Sequence, residues 1–152
     1  MYQTDYDLML LQMESLAEGV EYDITNLANA SALIYDSMDD LNWAGFYLYR
    51  NGELVLGPFQ GKTACTRIAM GKGVCGTAAQ NGQTQVVPDV HQFPGHIACD
   101  SASNSEIVIP MYRNGVLYGV LDIDSPKFDR FSETDQKGLE QLVRVLEKYV
   151  SC

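Results

Sequence analysis

Three cysteines, Cys65, Cys75 and Cys99, are the residues best suited to chemistry. Each sits in a glycine-, polar- or turn-rich stretch rather than in an apolar run. Glu106 follows Cys99 by seven residues, and the run Leu121-Asp122-Ile123-Asp124 places two acids inside an apolar, strand-like segment. A thiolate can attack an electrophile, become a sulfenic acid and condense with a second thiol. Thiols near carboxylates therefore point to redox chemistry on a small polar substrate. Cys152, at the terminus, reads as a bystander.

Two other uses of the cysteines fit less well. A zinc site needs closely spaced ligands, and the set has no C-x-x-C pair; its only local cluster is His91-x4-His96-x2-Cys99. No metal is therefore expected. Inert buried thiols suit single cysteines better than cysteines in loops. His96, three residues before Cys99, is placed to help form a thiolate there.

The acids can be placed by strand geometry. Side chains two apart share a face, about 6–7 Å apart along the strand, so Asp122 and Asp124 lie together and Leu121 and Ile123 lie opposite. A two-residue turn at Asn114-Gly115 would set Asp122 against Ile107. A three-residue loop over 113–115 would set Glu106 against Asp122 and Ile107 against Leu121, which segregates acids from apolar residues and is preferred. Three carboxylates gathered this way repel. At least one should hold its proton or a cation should join them, so the group offers a general acid or a seat for an ammonium. Trp43 and Tyr47 share strand parity with Gly45 between them. The missing side chain leaves a gap that could hold a small apolar or sulfur-bearing group, with ordinary core packing as the alternative.

The positioning elements follow from pattern. Residues 4–18 read as a helix with Met9, Met13 and Leu16 at helical spacing. Residues 24–39 read as a second, with Asp23 as N-cap and Leu27, Ala30, Ile34 and Met38 on one stripe. Strands are expected over 41–50 and 53–59 around Asn51-Gly52, a short one at Thr66–Met70, another at Thr84–Val87, and a pair over 105–112 and 116–124. A short helix fits 74–81, ended by Asn81-Gly82. Residues 88–104 are irregular and carry Cys99. The last helix spans about 133–150, opened by a capping box at Ser132-x-x-Asp135 and buried through Leu139, Leu142, Val143, Leu146 and Val150. This order gives an α+β fold with a mostly antiparallel sheet. Gly71-x-Gly73-x-x-Gly76 matches a dinucleotide fingerprint literally, but no βαβ unit surrounds it, and a tight strand-to-helix turn is expected instead.

The chain of 152 residues fits a single domain over 1–152, with 46% hydrophobic and 20% charged residues. A net charge of −10 argues against nucleic acid and anionic membranes as partners. Residues 1–49 hold nine acids and no Lys, Arg or His, which reads as solvated helical faces. With no secretory signature and no long apolar run, a cytoplasmic protein with reduced cysteines is expected.

Taken together, these motifs resemble the GAF-domain free methionine-(R)-sulfoxide reductases over nearly the whole chain. The carriers are Asn42-Trp43-Ala44-Gly45-Phe46-Tyr47, Gly57-Pro58-Phe59-Gln60-Gly61-Lys62 and Gly71-Lys72-Gly73-Val74-Cys75-Gly76-Thr77-Ala78-Ala79, then His96-Ile97-Ala98-Cys99-Asp100, Ser105-Glu106-Ile107-Val108 and Leu121-Asp122-Ile123-Asp124-Ser125. The resemblance implies a GAF-like α+β domain, with a central antiparallel sheet of about six strands and helices on its faces. It implies that Cys99 attacks the sulfoxide sulfur of free methionine sulfoxide, that Cys65 resolves the intermediate as a Cys65–Cys99 disulfide, and that Cys75 is a secondary thiol. Glu106 and Asp124 would bind the substrate and help protonate its oxygen, Asp122 would join them around its ammonium group, and Trp43 and Tyr47 would wall its methyl-sulfoxide end. No cofactor is implied; a thioredoxin-type protein would supply electrons. A homodimer is compatible with the sequence. The competing readings are a ligand-sensing GAF module and a thiol redox sensor.

Overall fold

The structure, a computed structural model, describes residues 2–96 and 101–151. Helices α1 (Tyr6–Ala17) and α2 (Asp23–Ser37) precede the strands β1 (Trp43–Arg50), β2 (Glu53–Gly61) and β3 (Arg67–Ala69). Helix α3 (Gly73–Asn81), strand β4 (Gln85–Val87), strands β5 (Ser105–Arg113) and β6 (Val116–Ser125), and helix α4 (Glu133–Glu147) complete the order. The six strands form one sheet in the order β3-β2-β1-β6-β5-β4. Every neighbouring pair is antiparallel, as the α+β reading requires.

Both Asn-Gly pairs make two-residue turns. Asn51 and Gly52, and Asn114 and Gly115, all take positive φ, the backbone that matches strand twist. Helices α1, α2 and α4 cover one face of the sheet. They pack Met9, Met13, Leu27, Ile34, Leu139 and Leu142 against Ala44, Phe46, Ile107, Ile109, Leu121 and Ile123. The capping box at Ser132 and Asp135 is present. Asp135 also accepts from the buried Tyr6 hydroxyl at 2.6 Å and pairs with the buried Arg130 at 3.0 Å, which ties α4 to α1. Among the described residues no helix is long and apolar enough to cross a membrane.

Three expectations are corrected. Leu16 is 40% exposed; the buried stripe of α1 runs Tyr6, Met9, Met13 and Ala17 instead. Asp23 is the first helical residue rather than the N-cap, which is Tyr22. The Asp23 carboxylate accepts from the Tyr118 hydroxyl at 2.7 Å and from the Ser151 backbone N–H, bonds that draw it away from a capping role. The β5–β6 register also differs. The turn pairs Arg113 with Val116, and a bulge then leaves Tyr118 unpaired, so Met111 meets Gly119 and Glu106 meets Asp124. The bulge turns Tyr118 toward the three-helix face and Leu117 toward the other. An extra residue restores the parity that a simple two-residue turn would break, so acids and apolar residues stay segregated.

Candidate active site

The opposite face of the sheet carries the acids. Trp43 pairs with Asp124 across β1 and β6, and Asp124 pairs with Glu106 across β6 and β5, so the three form one row across the strands. Gly45 and Asp122 lie in the next row of the same face. Helix α3 covers this face, and its first turn brings in Cys75. The Cys75 sulfur and carboxylate oxygens of Glu106 and Asp122 lie within 4.8 Å of one another.

The turn into α3 explains how the thiol gets there. The Gly71 N–H donates to the Gly76 carbonyl at 2.9 Å, and a Cβ on Gly76 would sit 2.5 Å from the Ala69 carbonyl oxygen. The Gly71–Gly76 glycines therefore permit a close strand-to-helix turn, and the dinucleotide match has no parallel strand beneath it.

These groups enclose a cavity of about 40 Å³, walled by Trp43, Tyr47, Cys75, Glu106, Asp122 and Asp124, with His96 and Ser103. All three acids are buried. Burial, then the neighbouring Asp122 and Asp124, pushes the Glu106 carboxyl well above the usual carboxylate range. Burial also raises Asp122, opposed by hydrogen bonds from Glu106, Cys75 and Asp124. The proton of the pair thus rests on Glu106, which donates to Asp122. Burial and the same carboxylates hold the Cys75 thiol protonated. Burial and nearby His91 push the His96 imidazole down, with Asp122 acting the other way.

The aromatic pair does two jobs. Trp43 stacks on Tyr47 with ring centroids 5.9 Å apart and on Phe59 at 5.0 Å. The gap expected at Gly45 is closed by β2: a Cβ there would lie 2.2 Å from the Phe59 Cβ. Gly45 thus serves strand approach, and the aromatic wall of the cavity is Trp43 and Tyr47 themselves. Their polar ends hold the β2–β3 loop. Trp43 Nε1 donates to the Lys62 carbonyl at 3.0 Å and the Tyr47 hydroxyl to the Cys65 carbonyl at 2.8 Å. That loop carries Cys65, half-buried and disulfide-bonded.

Of the residues expected at the site, Trp43, Tyr47, Cys75, Glu106, Asp122 and Asp124 converge on the cavity, and Cys65 sits on a loop tied to Tyr47. Cys99 lies outside the described residues. Cys75 lies in α3, where a short helix is expected, and its thiol is buried. Sequence reasoning missed Phe59 and Ser103. Phe59 reaches Trp43 only through the irregular β1–β2 register between Gly45 and Tyr47. Ser103, whose hydroxyl accepts from Asn42 Nδ2 at 3.0 Å, gave no chemical signal in its irregular stretch.

The GAF domain family matches residues 25–148. The free methionine-R-sulfoxide reductase of Escherichia coli K12 is 56% identical over 137 residues, covering 90% of this chain and 83% of that protein. The reduced-form fRMsr structure from Staphylococcus aureus has a TM-score of 0.96 at 51% identity and covers 99% of each chain. The free methionine-R-sulfoxide reductase of Neisseria meningitidis, solved in complex with its substrate, has a TM-score of 0.91 at 46% identity, over 95% of this chain and 87% of that one. The chain therefore belongs to the GAF-domain family, in its free methionine-R-sulfoxide reductase branch.

Proposed function

We propose that the protein reduces free L-methionine-(R)-sulfoxide to L-methionine by thiol chemistry. The observation that carries this reading is the meeting of three buried carboxylates and an aromatic wall in one cavity. A free amino acid presents an ammonium that peptide-bound methionine lacks. Asp122 and Asp124, with Glu106, suit that group, and Trp43 and Tyr47 suit the methyl-sulfoxide end. The R preference follows the relatives.

In this mechanism the Cys99 thiolate attacks the sulfoxide sulfur while Glu106 gives its proton to the sulfoxide oxygen. The oxygen passes to Cys99 as a sulfenic acid and methionine leaves; the proton from the Cys99 thiol restores Glu106. The Cys65 thiol then attacks the sulfenic sulfur, water departs, and a Cys65–Cys99 disulfide forms. Two thiols are oxidised as one sulfoxide is reduced to a thioether. Cys75, protonated and buried, is a secondary thiol. A thioredoxin-type dithiol of the cytoplasm reduces the disulfide by exchange.

The test is incubation of the pure protein with free methionine-R-sulfoxide and dithiothreitol, with methionine quantified against Cys99→Ser. Product from the wild type alone supports both reaction and nucleophile. No product, with the ligand still raising the melting temperature, would point to a sensing module instead.

A further inference from the structure

We infer that Cys75, Glu106 and Asp122 form a binding site for a thiophilic divalent cation, zinc above all, which occupies the acid cradle and excludes substrate. The ammonium reading accounts for the carboxylates but gives the Cys75 sulfur no work, since an ammonium needs only oxygen acceptors. The three side chains are 4%, 7% and 5% exposed, and their donor atoms lie within 4.8 Å of one another. Asp122 Oδ1 is buried on the cavity wall and meets no backbone N–H; the carboxylate's neighbours there are the Glu106 and Asp124 carboxyls and the Cys75 thiol, whose protons a cation would replace. An oxygen of that kind is costly to bury and seeks a cation.

The donor set selects the metal. Zinc binds thiolate at about 2.3 Å and carboxylate oxygen at about 2.0–2.2 Å, so tetrahedral ligands sit roughly 3.4–3.6 Å apart. The observed spacing needs to close by at most about 1.4 Å, within reach of side-chain rotation. Calcium and magnesium favour six or more oxygens and gain little from sulfur. The cavity of about 40 Å³ has room for a cation and one water as fourth ligand. His96 lines the same cavity and offers a nitrogen as the alternative fourth ligand. Binding displaces the thiol and carboxyl protons to solvent. Cys75 is a free thiol while Cys65 is disulfide-bonded, so the site does not depend on the Cys65 thiol.

Cobalt(II) supplies the test, because thiolate ligation gives it a sulfur-to-metal charge-transfer band. The protein with Cys65 in its disulfide is titrated with cobalt, then with zinc, in the absence of substrate, so the result does not depend on the reductase reading. The expected outcome is one cobalt per chain with the charge-transfer band, displaced by zinc. The band should vanish in Cys75→Ser and survive in Cys152→Ser, and the isosteric Asp122→Asn should weaken binding by about tenfold or more. A band that persists in Cys75→Ser, an Asp122→Asn protein that binds like wild type while folded by circular dichroism, or no binding at all overturns the site. In turnover assays zinc should compete with sulfoxide; noncompetitive inhibition overturns the exclusion of substrate.

Discussion

Replacing Glu106 with glutamine separates the two demands placed on the cavity. Glutamine keeps the volume and can still donate an N–H to Asp122, but it has no acidic proton to give. If Glu106 protonates the sulfoxide oxygen, turnover should fall by about 10²–10⁴-fold, the usual worth of a positioned general acid. That loss corresponds to roughly 3–5.5 kcal/mol of transition-state stabilisation. Stability should move the other way. Donor atoms of Glu106 and Asp122 lie within 4.8 Å, where two full charges at an effective dielectric of about 20 repel by about 3.5 kcal/mol. The wild type already relieves part of this by protonating Glu106, so Glu106→Gln should gain about 1–3 kcal/mol at neutral pH. In a chain this long that is roughly 2–4 °C in melting temperature per kcal/mol. The pH dependence fixes the sign. The folded protein holds the Glu106 proton more tightly than the unfolded chain. Its contribution is complete below the unfolded carboxyl value of about 4.3 and is lost as pH rises from there through the raised folded value. The wild type should lose stability over that window and Glu106→Gln should lose less. Methionine release by chromatography and thermal melts in chelator read the two effects. A variant that turns over within threefold of wild type refutes the proton-donor role, and one that is inactive and less stable refutes the repulsion argument.

Three further perturbations probe the supporting parts. Cys65→Ser should still yield about one methionine per chain in a single turnover, since attack by Cys99 does not need Cys65, while thioredoxin-driven cycling falls by about tenfold or more; unchanged cycling would remove Cys65 from the resolving role. Tyr47→Phe loses the 2.8 Å bond to the Cys65 carbonyl, so it should cost about 1 kcal/mol in urea unfolding. It should also slow disulfide formation more than the first methionine burst; equal slowing of both would argue that Tyr47 acts on substrate alone. Gly45→Ala would place a Cβ 2.2 Å from the Phe59 Cβ and 2.8 Å from the Pro58 carbonyl oxygen. Forcing β2 off β1 should cost about 1–3 kcal/mol, and a cost under about 0.5 kcal/mol would show that the strands part freely.

The sequence was informative where a local rule decides the outcome. Asn51-Gly52 and Asn114-Gly115 announce their hairpins because few other pairs take positive φ at both turn positions. Ser132 and Asp135 announce α4 because their side chains cap it directly. The alternation in Leu121-Asp122-Ile123-Asp124 put the acids on one face before any partner strand was known. What could not be read depends on distant residues. The bulge at Tyr118 is favoured by a hydroxyl that reaches Asp23, 95 positions away in sequence. The closure of the Gly45 gap needs the irregular register that brings Phe59 beneath Trp43. The helix and turn around Cys75 were legible; its meeting with Glu106 and Asp122 was not, because it joins elements distant in sequence.

The two faces of the sheet divide stability and chemistry in a way the same strands enforce. Along β6, Leu121 and Ile123 enter the three-helix core while Asp122 and Asp124 enter the cavity. Burying like charges is unfavourable, and the Asp122 carboxylate is met mainly by the neighbouring carboxyls and the Cys75 thiol. A loop could not hold that arrangement, because its backbone would yield until the carboxylates reached water. A central strand, hydrogen-bonded on both edges by β1 and β5 and anchored through its alternate residues, cannot rotate one set of side chains without exposing the other. The apolar face therefore holds the acids in a proximity that an arriving cation would relieve. In the proposed readings substrate ammonium and zinc would both draw on that repulsion, so the acids that would make the site selective for a free amino acid would also make it vulnerable to a metal.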